Sequence, residues 1–163
     1  MLDSSQHYFI CITGANSPIL KSKQLITHHL LEDVTLLGIT SALSAYKLAW
    51  LINQTTRLKL AQAAAWRGET TGQATGHIVH FFYETEHCTF KLVKNRLVTD
   101  EQDTAAYLLS DLKHMDFFFA VRDLTQTFDV EAFCKALSAT KRVIHVAHLD
   151  LAVYKDRAHF FFH

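Results

Sequence analysis

Apolar residues in this chain fall into short runs separated by polar links, and their spacing distinguishes strands from helices. Val34–Thr40 (VTLLGIT) is a short apolar run of the kind a strand makes. Ser41 or Ser44 can then cap a helix. In it Leu43, Tyr46, Trp50 and Ile52, with Ala42, Ala45 and Ala49, give a broad apolar face ending near Asn53. Residues 57–66 have helix propensity from four alanines and a leucine pair. Residues 67–76 hold three of the five glycines and read as a loop. Residues 78–83 and 88–93 flank the polar link 84–87. In the second run Cys88, Phe90 and Leu92 alternate with Thr89, Lys91 and Val93, which predicts a half-buried antiparallel hairpin closed by Asn95 and Arg96.

Further along, Asp103 or Thr104 can cap a short helix reaching about His114, with Leu108, Leu109 and Leu112 inward. Residues 115–121 (MDFFFAV) carry three consecutive phenylalanines, so rings face both ways and the strand is expected to be central and covered on both sides. A second helix is expected from Phe128 to about Ala139, capped by Thr127, with Asp129 and Glu131 in its first turn. Val130, Phe133, Cys134 and Leu137 form its stripe. A last apolar run, 143–151, is interleaved with His145 and His148, and the aromatic end at 160–162 suggests a docked C-terminus. Residues 1–20 read as an appendage or extra strand, separated by a seam at Pro18 from a single domain over 21–163. The whole predicts an α+β domain: a mainly antiparallel, partly mixed sheet with two principal helices on one face. The order is compatible with a ferredoxin-like arrangement plus additions.

Composition narrows the function classes. The chain has 163 residues, with 16 basic and 16 acidic side chains, so its net charge is zero with histidine neutral. That gives no overall attraction to phosphate polymers or anionic membranes. Apolar content is too high, and glycine and proline too scarce, for a disordered or collagen-like chain. No apolar run approaches the roughly 20 residues of a membrane span. The apolar stretch 8–12 lacks the basic flank of a secretory signal. Cys11, Cys88 and Cys134 form no C-x-x-C pair and suit buried thiols in a reducing cytosol. A cytoplasmic location is the expectation.

Candidate chemistry is sparse. His77 and His80, and His145 and His148 with Asp150, resemble halves of metal sites, but they lie on expected strands, where i and i+3 point to opposite faces. Only a cross-strand site mixing members of both pairs would remain, and no metal or cofactor is expected. No phosphate-loop, dinucleotide or nucleophile-elbow motif is present. The carboxylates Glu84, Glu86, Asp100, Glu101 and Asp103 read as solvated turns and caps. Lys91, Lys94 and Arg96, next to Phe90, are the best candidate surface for RNA, because aromatics interleaved with basic residues on a sheet stack bases. Phe90, however, is in phase with Cys88 and Leu92 and therefore belongs to the core. If several of the eleven histidines are buried neutral at 77–80 and 145–148, folding should weaken as pH falls.

Residues 109–117 (LSDLKHMDF) resemble the signature of the bacterial IPExxxVDY family. Asp116 matches outright, Leu109, Asp111, Met115 and Phe117 are conservative replacements, and Ser110 stands where the family has proline. Residues 33–53 resemble that family's apolar "LIGISS" segment and following helix, and 92–96 its "LISN(K/R)" strand end. The resemblance covers residues 23–163. It implies a short cytoplasmic protein without assigned activity, whose relatives' genes often neighbour those for ribonuclease III, acyl carrier protein and fatty-acid synthesis; it carries over no catalytic residue. The leading expectation is a non-enzymatic protein-interaction module with Tyr46, Trp50, Asn53 and Asp116 as candidate contacts. Core packing is the competing role for the two aromatics, and a structural turn for Asp116. RNA binding through Lys91, Lys94 and Arg96 is the second expectation, and an enzyme acting on a small molecule the third.

Overall fold

The strands pair around the triple phenylalanine. A computed structural model describes residues 33–69, 75–99, 106–150 and 153–154. The N-terminal appendage, Cys11, the carboxylates at 100–103 and the aromatic C-terminal run lie outside them. In chain order the elements are β1 (Val34–Thr40), α1 (Ala45–Thr56), β2 (Ala61–Gln62), β3 (Trp66–Glu69), β4 (Thr75–Ile78), β5 (His80–Glu84) and β6 (Cys88–Lys94). A 3-10 turn (Ser110–Leu112), β7 (Phe117–Asp123), α2 (Val130–Ala139) and β8 (His145–Leu149) follow. The main sheet runs β2-β5-β6-β7-β1-β8, with β3 and β4 forming a separate ribbon.

The α+β class holds, and one detail of it is corrected. Every pairing in the main sheet is antiparallel, not mixed. The reason is topological. α1 lies between the parallel strands β1 and β6, and α2 between the parallel strands β7 and β8. Neither parallel pair is adjacent, because β7 sits between β1 and β6, and β1 between β7 and β8. The order β8-β1-β7-β6 is the ferredoxin-like 4-1-3-2 arrangement, and β5 and β2 extend it at one edge.

Both helices cover one sheet face. Leu37, Ile39, Phe81, Phe90, Leu92, Phe117, Phe119 and Val121 point toward Leu48, Ile52, Phe133 and Leu137 in one buried cluster. Phe119 stacks on Phe133 at 4.6 Å between ring centres, and Phe128 meets Phe90 edge-on at 5.3 Å. Burying each such ring stabilises the fold by about 2–3 kcal/mol. The alternate residues of the same strands are also buried: Leu36, Val93, Phe118 and Ala120. Strand β7 is thus central and covered on both sides, as its three phenylalanines predict. Gly38 lies under Met115, whose Sδ would be 2.9 Å from a Cβ there, so a side chain at this position would expel Met115.

Four local expectations fail. The alanine-rich stretch 57–66 makes no helix: Arg57 turns left-handed at φ 60, donates its N–H to the Asn53 carbonyl, and ends α1. The glycine-rich segment is no simple loop, since Gly68 pairs with Gly76 in the β3–β4 ribbon. The helix expected to reach His114 is, among the described residues, only the single 3-10 turn. In α2 the cap is Asp129, whose Oδ1 accepts the Ala132 N–H at 2.8 Å, and not Thr127. No helix of the described residues is long and apolar enough to cross a membrane.

Candidate functional site

A cavity of about 300 Å³ opens where β1 ends, β6 ends and β7 begins. Ser41–Leu43, Lys94, Arg96, Tyr107, Lys113, Met115, Asp116 and Phe117 line it. The strand register explains the gathering. Lys94 is opposite Phe117, Arg96 forms a bridge with Tyr107, and Asp116 immediately precedes β7. Lys113 arrives from the turn after the 3-10 segment, and its Nζ stands 5.8 Å over the Tyr107 ring, a cation–π geometry. Asp116 Oδ2 accepts the Ser41 N–H at 2.9 Å, and Oδ1 takes no protein donor among the described residues. Lys94 is half-buried, whereas Arg96, Lys113 and Asp116 are exposed. None of the three cations forms an ion pair with a carboxylate among the described residues.

One residue holds the walls of this cavity together. Asn95 lies between Lys94 and Arg96 and is fully buried. Its Nδ2 donates to the carbonyls of Leu112 and Met115, each at 2.9 Å, and its Oδ1 accepts the Leu109 N–H at 2.9 Å. Its own N–H donates to the Asp116 carbonyl at 2.9 Å, and its carbonyl accepts the Leu108 N–H at 2.7 Å. The strand end bearing two cations is thereby fixed to the turn bearing the third. A buried amide satisfied this fully is costly to remove, because each orphaned backbone group loses its partner without regaining water.

The second candidate surface is the outer face of α1. The buried stripe of this helix is Ala45, Leu48, Ala49, Leu51 and Ile52. Tyr46 and Trp50, one turn apart, are 63 % and 59 % exposed, so the core role is excluded for both. Tyr46 is nevertheless braced: its ring meets Phe81 edge-on at 5.3 Å, and its hydroxyl donates to Gln62 Oε1. Asn53 is not available as a contact. Its Nδ2 donates to the Leu60 carbonyl at 3.0 Å and its Oδ1 accepts the Leu60 N–H at 2.8 Å, pinning the chain that leaves α1.

The structure divides the basic cluster read from the sequence. Lys94 and Arg96 meet in the cavity, but Lys91 lies on the opposite sheet face and is 2 % exposed. Strand β6 is therefore buried on both faces over Phe90–Val93, whereas Phe82 and Glu84 of β5 stay exposed. Burial pulls the Lys91 ammonium down to about 8, and His80, buried nearby, is lowered by desolvation and then by the Lys91 charge. Phe90 belongs to the core as expected. His145 and His148 are exposed and, by register, point to opposite faces of β8. Among the described residues no group of three or more His, Cys, Asp or Glu side chains could hold a metal. Cys88 and Cys134 are half-buried, with thiols raised mainly by burial.

Sequence reasoning missed Tyr107 and Lys113 of the cavity, and also Asp123. Lys113 sits inside the motif segment 109–117, which was the available signal. Asp123 ends β7, and burial opposes its charge. The Phe128 and Thr125 N–H groups and the Thr125 hydroxyl nevertheless hold its carboxyl well below the usual carboxylate range. No family model matches the chain, and a search of curated proteins finds no match.

Proposed function

We propose that this chain is a non-enzymatic binding module, akin to the IPExxxVDY proteins, that docks a protein partner on the outer face of α1. The observation that carries this reading is the Tyr46–Trp50 pair, two large aromatic side chains about 60 % exposed on one helical turn. Exposed aromatics of this kind are the usual anchors of helix-in-groove recognition. The charges beside them state the partner's chemistry. From Ala45 to Leu60 the chain carries Lys47, Arg57 and Lys59 and no carboxylate, so the complementary surface is an apolar groove with an acidic rim. The test is capture from cell extract by the wild-type chain and by the double variant Tyr46→Ala/Trp50→Ala. Both side chains are largely solvent-facing, so the variant should melt close to wild type. Partners retained by the first and lost by the second support the reading; capture that is absent or identical in both overturns it.

A second reading, RNA binding, is favoured by Lys94 and Arg96 being joined by Lys113 around one cavity. It predicts affinity that falls steeply with salt. A flat titration with single-stranded RNA at low salt would eliminate it.

A further inference from the structure

The cavity beside β7 has a charge balance that specifies a ligand, independently of the docking face on α1. Three cations surround it, Lys94, Arg96 and Lys113, against one carboxylate, Asp116, among the described lining residues. Two positive charges are left uncompensated. A phosphate monoester carries about −1.5 to −2 at neutral pH, whereas a phosphodiester inside a polymer or a carboxylate carries only one negative charge. A volume of about 300 Å³ is at the small end of ligand pockets. It suits a compact molecule better than a polymer strand. Oδ1 of Asp116, which accepts no hydrogen bond among the described residues, supplies an acceptor beside the cations, which suits a hydroxyl and repels a bare anion. The walls are pre-set by the Asn95 hydrogen bonds, so little ordering is left for the ligand to drive.

We infer that this cavity binds a small hydroxylated phosphate monoester, with Lys94, Arg96 and Lys113 on the phosphate and Asp116 on a hydroxyl. The probes are ribose 5-phosphate, ribose, and a single-stranded RNA ten-mer with a 5′-hydroxyl, titrated by calorimetry at low salt against the full chain. Saturable binding of ribose 5-phosphate is expected, with ribose at least about tenfold weaker. Arg96→Ala and Lys113→Ala, both at exposed positions, should each weaken it about tenfold or more, since a charge-assisted bond is lost. Lys135→Ala, which removes an exposed cation from α2, should leave it unchanged and controls for overall charge. Melting curves of all three variants verify folding. No binding of ribose 5-phosphate, equal binding of ribose, or an effect of Lys135→Ala as large as that of the cavity variants would each overturn the inference. So would tighter binding of the ten-mer that depends on the same two residues, because the cavity would then read polymer phosphates.

Discussion

Two aspartates bracket the central strand, and they have opposite fates. Asp123, at the end of β7, is 8 % exposed and spends both oxygens on the fold. Its Oδ1 accepts from the Thr125 N–H at 3.0 Å, the Thr125 hydroxyl at 2.9 Å and the Cys88 thiol at 3.3 Å, and its Oδ2 from the Phe128 N–H at 2.6 Å. Asp116, before β7 starts, is exposed and gives one oxygen to one backbone N–H. The same contrast recurs on β6, where Lys91 is enclosed and Lys94 opens on the cavity. A charged side chain whose bonds are all internal positions the chain; one with a bond to spare, in a cavity, is available to a ligand.

The deepest break in this contrast is at Asn95, which serves the open end of the strand while being wholly buried itself. Asn95→Ala would orphan the Leu109 N–H and the Met115 carbonyl and leave the Leu112 carbonyl with the Met115 N–H alone. A loss of about 4 kcal/mol is expected in chemical denaturation, summing partly relaxed penalties of roughly 1–3 kcal/mol per group. Ribose 5-phosphate binding should weaken even where the variant remains folded, because Lys94, Arg96 and Lys113 lose their common anchor. At the closed end, Asp123→Ala should cost about 2–3 kcal/mol by releasing the turn into α2, with ligand affinity unchanged. Its acid signature has a definite sign. A carboxylate held below its unfolded value of about 3.9 contributes stability that is complete above that pH. The contribution is lost as pH falls through the lower folded value. Asp123→Ala should therefore flatten the stability profile below about pH 4.

Lys91 and His80 sharpen the difference between enclosed and open charge. Both are disfavoured as cations in the fold, so the unfolded chain binds more protons and stability rises with pH. For Lys91 the rise falls between about 8 and its unfolded value of 10.5. For His80 stability is present above about 6.5 and fades below it. Lys91→Met should abolish the alkaline rise, of about 3 kcal/mol, in denaturation series from pH 7.5 to 10.5. An alkaline rise that survives the substitution would place the titrating group elsewhere. Of the histidines expected to be buried on the strands, His80 is buried, whereas His145 and His148 are exposed.

What was readable in the sequence follows from the range of the interactions. The alternation in β6, the apolar stripe of α2 and the doubly buried β7 are local patterns, and each element formed where its period indicated. The burial of Lys91 was not local. Alternation correctly put it opposite Phe90, but the pattern of a single strand does not show whether this second face is closed. The α1 stripe was misjudged by size, because the aromatics attract attention while Ala45 and Ala49 hold the buried phase. Residues 67–76 read as a loop because their three glycines are turn formers with little strand propensity, yet Gly68 faces Gly76 in a paired ribbon. The sequence points to Lys94 and Arg96 together as an RNA contact and to Asp116 separately as a protein contact. Only the bridge between Arg96 and Tyr107 and the Asn95 clamp show that they share one cavity.

The smallest effect on stability tests the open end most directly. In Asp116→Asn the amide oxygen can still accept the Ser41 N–H, so the loss should stay under about 1 kcal/mol. The electrostatics change more than the fold. Removing the sole carboxylate among the described cavity residues leaves all three cations uncompensated, so inorganic phosphate should bind several-fold more tightly. Ribose 5-phosphate should gain less, because the charged acceptor for its hydroxyl becomes a neutral one. The measurable quantity is the ratio of the two affinities by calorimetry. If Asp116 serves the ligand, the ratio shifts toward inorganic phosphate. If Asp116 only turns the chain into β7, as Asp123 turns it out, the ratio stays constant while both affinities rise together.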